Sequence, residues 1–66
     1  MNHSCSTVQV GEVRTGDRLM WNYGEMSVVV DIHPISERSV MLTDRSVNGR
    51  FSTHQISLTT LVSRVA

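Results

Sequence analysis

The chain has no lysine, one cysteine, one proline and three aromatic residues among its 66. A single cysteine, Cys5, cannot close an internal disulfide, and it excludes a cysteine-rich zinc ribbon. No apolar run approaches ~18 residues, so no segment reads as a membrane span. The start, Met1-Asn2-His3-Ser4-Cys5-Ser6, shows no basic stretch followed by an apolar one and does not read as a secretory signal. These absences together predict a cytoplasmic chain without membrane contact. Net charge is lacking too, because six arginines balance six acidic residues. Non-specific phosphate binding draws on several uncompensated cations, which a neutral chain does not supply in bulk.

What remains is ordinary folding material. Apolar residues make up 39% of the chain and charged residues 18%, too apolar and too weakly charged for a disordered segment. A chain of this length hides only about 60% of its extended-chain surface, which leaves one small domain of about 3–5 kcal/mol stability.

The apolar residues recur at every second position. Leu19 and Trp21, then Val28, Val30 and Ile32, then Val40 and Leu42 carry this alternation, and β-branched side chains dominate the second run. No ten-residue stretch has helical apolar spacing. Turn residues fall between the runs: Thr15-Gly16-Asp17, Asn22-Tyr23-Gly24-Glu25, Pro34 with Ser36 and Glu37, and Asn48-Gly49. Asn48-Gly49 is the strongest hairpin signal and predicts a type I′ turn. Ser57-Leu58-Thr59-Thr60 suits a short 3₁₀ turn. The expected strands are about Gly16–Asn22, Met26–Pro34, Ser39–Arg45, Arg50–Ile56 and Leu61–Val65, with an extended piece over Val8–Val13. Residues 1–7 are expected to be a disordered N-terminal segment and 8–66 a single all-β domain. A sheet this small gains by curling into a barrel, because a flat sheet leaves two edges open.

Val10-Gly11-Glu12-Val13-Arg14-Thr15-Gly16-Asp17-Arg18-Leu19 resembles the opening of many SH3-like small barrels, in which a hydrophobic residue and a spacer precede Gly-Asp, a basic residue and a hydrophobic one. The Ser57–Thr60 connector running into Leu61-Val62 is similar to the 3₁₀ turn before the last strand of that architecture. The resemblance covers Gly16–Val65 and implies an all-β, five-stranded SH3-like barrel. The lysine-free composition resembles small orphan proteins of actinobacteria and their bacteriophages. The chain departs from signalling SH3 domains in lacking their acidic loop and paired surface tyrosines, with Trp21 and Tyr23 the only candidates for the latter. Such barrels host many unrelated tasks, so the architecture alone implies no activity.

Little points to catalysis. His33, His54, nine serines and Asp17, Asp31 and Asp44 form many nominal Ser–His–Asp sets, as any serine-rich chain does, and no nucleophile-elbow motif is present. Asp31 and His33 share one strand face and read as solvated. His3, Cys5, His33 and His54 lack zinc-finger spacing. Met1-Asn2-His3 matches the amino-terminal copper/nickel motif, in which amine, amides and imidazole supply four nitrogens in a plane, but the signal is one residue deep and reads as incidental. No enzyme activity, metal or cofactor is expected.

Binding remains. Trp21 is expected at least partly buried, which leaves Tyr23 as an interface anchor. Met20 and Met41 fall out of phase with Leu19 and Leu42 and are expected on an adaptable, exposed face. Arg38, Arg45 and Arg50 lie around the third and fourth strands, where they either pair with Glu37 and Asp44 or form a basic patch. The sequence therefore favours a non-catalytic module that binds a protein partner, a host protein or a second copy of itself. The alternative is a nucleic-acid-binding barrel that uses the arginine patch. With three clustered arginines, the log–log salt slope for duplex DNA would be about −3. The neutral chain predicts instead no DNA or RNA binding tighter than about 10 μM at physiological salt, tested by titrating random-sequence DNA and RNA at two salt concentrations.

Overall fold

A computed structural model describes residues 5–21 and 24–65. The chain is all-β, with six antiparallel strands and one 3₁₀ turn: β1 (Cys5–Gln9), the turn (Val10–Glu12), β2 (Arg18–Met20), β3 (Met26–Pro34), β4 (Ser39–Ser46), β5 (Phe51–Ser57) and β6 (Leu61–Val65). They form one sheet in the order β1-β6-β2-β3-β4-β5. The expectation of five strands with closed pairing is corrected to six strands in an open sheet, with β1 and β5 as its edges.

The sheet still wraps around a core. Val8, Val13, Leu19, Val29 and Leu42 form one buried cluster, and Trp21, Ile32, Ile56 and Val62 pack against it, so all six strands contribute to one interior. The shortest dimension is 19 Å, about twice the ~10 Å that separates two packed sheet layers, which a flat single sheet would not reach. Connectors fasten one end of this curl. Val10 N–H donates to Thr60 O at 2.9 Å, Gly11 N–H to Leu58 O at 2.9 Å, and Leu58 N–H to Arg38 O at 2.8 Å. A side chain at Gly11 would stand 3.4 Å from the Leu58 carbonyl oxygen, so the two connectors lie in close contact.

Four local expectations change. The 3₁₀ turn is not before the last strand; it follows β1, while Ser57–Thr60 makes a single turn closed by Thr60 N–H to Ser57 O at 3.1 Å. Residues 5–7, assigned to a disordered segment, are strand, with Cys5 opposite Val65 and Thr7 opposite Ser63. The first long run yields only three strand residues, because Gly16 takes φ +92° and its N–H donates to Val29 O, turning the chain before Arg18. The Asn48-Gly49 hairpin is present, but its turn is not type I′: Gly49 alone has positive φ, at +86°, and Asn48 does not. Gly49 N–H reaches Ser46 O and Ser46 N–H reaches Arg50 O, the three-residue loop in which a type I turn is followed by a left-handed glycine. The Ser46 hydroxyl donates to Asn48 Oδ1, which fixes that loop.

The largest departure is in β3. Its pairing with β4 shifts between Val29 and Asp31, leaving Val30 as the extra residue of a β-bulge. Before the bulge, Ser27 and Val29 face inward; after it, Ile32 does. The alternation of Val28, Val30 and Ile32 is thus not one face: Val29 is 1% exposed and Val30 39%. Val29→Thr, which buries a hydroxyl, is expected to cost about 1–3 kcal/mol. Val30→Thr should stay within about 0.5 kcal/mol. Urea unfolding of the two variants checks this, and equal losses would place the bulge elsewhere.

Candidate interaction site

A polar network crosses the inner face. Trp21 Nε1–H donates to Ser27 Oγ at 2.8 Å, and the Ser27 hydroxyl donates to Asp44 Oδ2 at 2.7 Å. His54 Nε2 lies 3.3 Å from Asp44 Oδ2 and 3.4 Å from Oδ1. The His54 ring also stacks on Trp21, with centroids 4.6 Å apart and planes inclined by 28°. Asp44 is 3% exposed and Ser27 4%, so these bonds replace water for both groups. Sequence position places them there: Asp44 follows Val40 and Leu42 at strand spacing and so must point inward with them.

This is one Ser–His–Asp set out of the many nominal ones, and its order is not that of a hydrolase. The carboxylate stands between serine and histidine, whereas a nucleophilic serine gives its proton to the imidazole. Ser27 instead directs its hydroxyl to Asp44 while accepting from Trp21. The adjoining cavity, bounded by Trp21, Ser52 and His54, is about 20 Å³, room for one water. The network holds strands together and leaves no space for a substrate. Asp31 and His33 are exposed, as their shared face predicts.

The residues expected to bind are dispersed. Arg38 lies before β4 and Arg45 near its end, seven residues or about 23 Å along the strand, so Arg38, Arg45 and Arg50 do not form one patch. The expected pairing of these arginines with Asp44 is also corrected, because that carboxylate faces the interior. Outside the network, Arg64 pairs with Asp17 at 3.7 Å. Met20 and Met41 are half-buried rather than exposed, Met20 opposite Met26 and Ser63, and Met41 between His33 and Gln55. Tyr23 and the Met1-Asn2-His3 motif lie outside the described residues.

A different set of residues meets on the outer face. Register places Arg18 opposite Val28, Val28 opposite Arg45, and Arg45 opposite Phe51. Arg18 and Arg45 border a groove of about 340 Å³ that Met26, Val28, Val47 and Gly49 also line. Phe51 is 64% exposed and Val47 85%, so the hairpin end of the sheet presents apolar and cationic side chains together. Sequence reading singled out Arg45 but missed Arg18, because only the register of three strands reveals their proximity.

The edges differ in what they offer. Ser46 N–H to Arg50 O and Leu58 N–H to Arg38 O fix the phase of the β4–β5 ladder. In an antiparallel pair the bonded positions alternate, so Phe51, Thr53 and Gln55 direct their backbone N–H and C=O away from β4. No backbone partner meets them among the described residues. β5 carries no Lys, Arg, Asp, Glu, Pro or bulge, the usual protections of an edge. At β1, by contrast, the Gln9 N–H is taken by Glu12 Oε2 at 3.3 Å.

No protein-family model matches the chain, and no curated protein or solved structure matches it significantly.

Asp44→Ala would strip the acceptor from Ser27 and His54, at an expected cost of about 1–3 kcal/mol per orphaned donor. Urea unfolding read by the emission of Trp21, the only tryptophan, measures it. A Ser27→Ala/Asp44→Ala cycle should show about 0.5–3 kcal/mol of coupling. Additive losses would mean that the two side chains act independently.

Proposed function

We propose that this protein is a non-catalytic interaction module on an SH3-like small-barrel plan, and that it binds a protein partner by adding the partner's extended segment to β5. The observation that carries this reading is the uncharged, unbulged edge of β5, with the backbone groups of Phe51, Thr53 and Gln55 turned outward. Strand addition draws affinity from main-chain hydrogen bonds and specificity from alternate side-chain positions. Phe51, at 64% exposure beside this edge, supplies an aromatic contact of the kind enriched at interface hot spots. The lysine-free resemblance to actinobacterial phage proteins would make a cytoplasmic host protein the natural partner. Pairing of β5 with its own copy uses the same edge.

A nucleic-acid reading has one observation in its favour, the nearness of Arg45 and Arg50 to the exposed ring of Phe51. Zero net charge weighs against it.

Thr53→Pro separates the two. Its N–H faces away from β4, so proline there removes an outward donor while sparing the ladder, as edge strands permit. Peptides selected from a random library against the wild-type domain should lose binding to Thr53→Pro, and should protect the Thr53 and Gln55 amides from hydrogen exchange. Selected peptides that bind Thr53→Pro unchanged would defeat the strand-addition reading. Submicromolar, salt-sensitive DNA or RNA binding that Arg45→Ala abolishes would replace it with the nucleic-acid one.

A further inference from the structure

Asn48 precedes Gly49 at the exposed tip of the β4–β5 hairpin, and neither the Asp44 network nor the β5 edge uses its side chain. An Asn-Gly pair carries a reaction of its own. The carboxamide carbon of asparagine can be attacked by the next backbone nitrogen, and glycine has no side chain to hinder the approach. The Gly49 nitrogen gives its proton to solvent base and bonds to Asn48 Cγ. The Cγ–Nδ2 bond breaks, and ammonia leaves with a proton from water. Water then opens the five-membered imide at one of its two carbonyls, and the ring nitrogen regains its proton. Opening at Cγ yields aspartate. Opening at the main-chain carbonyl yields isoaspartate, whose backbone runs through Cβ and is one methylene longer. Water enters, ammonia leaves, and no oxidation state changes.

The hairpin holds Asn48 out of this reaction. Gly49 N–H donates to Ser46 O at 2.9 Å, the closing bond of a type I turn whose third residue is Asn48. That position takes ψ near 0°, roughly. The main-chain nitrogen of Asn48 then eclipses the Gly49 nitrogen, and Cβ stands about 120° away around the Cα–C bond. The imide ring closes only when Cβ itself comes over the Gly49 nitrogen. Asn48 must therefore rotate through about that angle, which carries Gly49 N–H off Ser46 O. The side chain is restrained as well, because the Ser46 hydroxyl donates to Asn48 Oδ1. Ser46 thus holds both reacting groups, the nitrogen through its carbonyl and the carboxamide through its hydroxyl. Val47, Asn48 and Gly49 are exposed, so base and water reach the site as soon as the turn opens. The geometry points to Asn48 as a covalent modification site that the hairpin gates, an amide while Ser46 clamps it and an aspartate or isoaspartate once the turn opens. Isoaspartate does not restore the turn. Its extra methylene displaces Gly49 N–H and Arg50 O, the two backbone groups that bond to Ser46, and Phe51 begins β5 directly after them. The change reaches the edge strand whatever that edge binds.

The test incubates the intact domain at mildly alkaline pH. Peptide mass spectrometry measures conversion at Asn48 and separates isoaspartate from aspartate. The native protein should convert at least about tenfold more slowly than the same chain unfolded in guanidinium chloride, because only the opened fraction of the hairpin reacts. Ser46→Ala should speed conversion in the folded protein about fivefold, the effect of one lost hydrogen bond. Ser46→Thr keeps the hydroxyl and should stay near the wild-type rate. Hydrogen exchange at the Val29 amide, which donates to Asp17 O, reports whether the sheet of each variant is intact. Equal rates for native and unfolded wild-type chain would overturn the gate. An unchanged Ser46→Ala rate in an intact sheet would overturn the clamp. If Ser46→Ala loses the sheet, the native and unfolded wild-type rates decide alone. A synthetic chain with isoaspartate at position 48 should lose exchange protection at the Ser46 and Gly49 amides, and Asn48→Asp should keep it. Protection retained in the isoaspartate chain would overturn the consequence for β5.

Discussion

A carboxylate on the inner face of a strand is costly unless bonded groups replace the water it loses. Asp44 occupies that position one strand step beyond Leu42, and much of the sheet is arranged to satisfy it. Ser27 on β3 and His54 on β5 face it from either side, and Trp21, just past β2, closes the set by donating to Ser27 and stacking on His54. Four successive strands are therefore tied at one level by directional contacts. A slip of one residue in any of them would turn a partner to the opposite face. In a chain with few fully buried side chains, this polar contact specifies register more sharply than the apolar cluster beside it can.

Much of the fold was legible in the sequence, and the reasons are local. The strands expected over Ser39–Arg45 and Leu61–Val65 followed from the apolar pattern and the turn residues around them, and the structure extends the first by one residue, to Ser46. The Asn48-Gly49 hairpin followed from glycine's tolerance of positive φ. The bulge at Val30 was hidden because Val28-Val29-Val30 supports either inward phase equally well, so only pairing with β4 decides it. The position of β1 depends on Cys5–Gln9 finding β6 across most of the chain, which no local pattern states. The Asp44 network had a readable signal, an acid in phase with Val40 and Leu42. Acidic residues are seldom fully buried, so the same position reads equally as a surface ion-pair partner for the arginines.

The surface shows a parallel lesson about charge. A total of zero describes the whole chain but not its faces. Asp44 is withdrawn into the core and Asp17 engages Arg64, while Arg18 and Arg45 are brought together across Val28. Folding thus sorts a balanced composition so that two arginines from distant parts of the chain flank one valine. The sorting depends on cross-strand register, so neighbours in space are 27 positions apart in sequence for this pair (45 − 18). Proximity along the chain suggested Arg38, Arg45 and Arg50 instead, and β4 separates the first from the others by its own length.

The unequal edges bear on how large an assembly this protein can form. An edge that pairs with its own kind gives a symmetric, closed arrangement, whereas two different edges that fit each other propagate head to tail into open filaments. Among the described residues, β5 presents the outward backbone groups of Phe51, Thr53 and Gln55, while on β1 the Glu12 carboxylate occupies the Gln9 N–H and leaves the outward groups of Cys5 and Thr7. Pairing of β5 with a second β5 would close on itself, whereas pairing of β5 with the outward groups of β1 would propagate. The carboxylate that caps Gln9 shortens the stretch of β1 that such propagation would use.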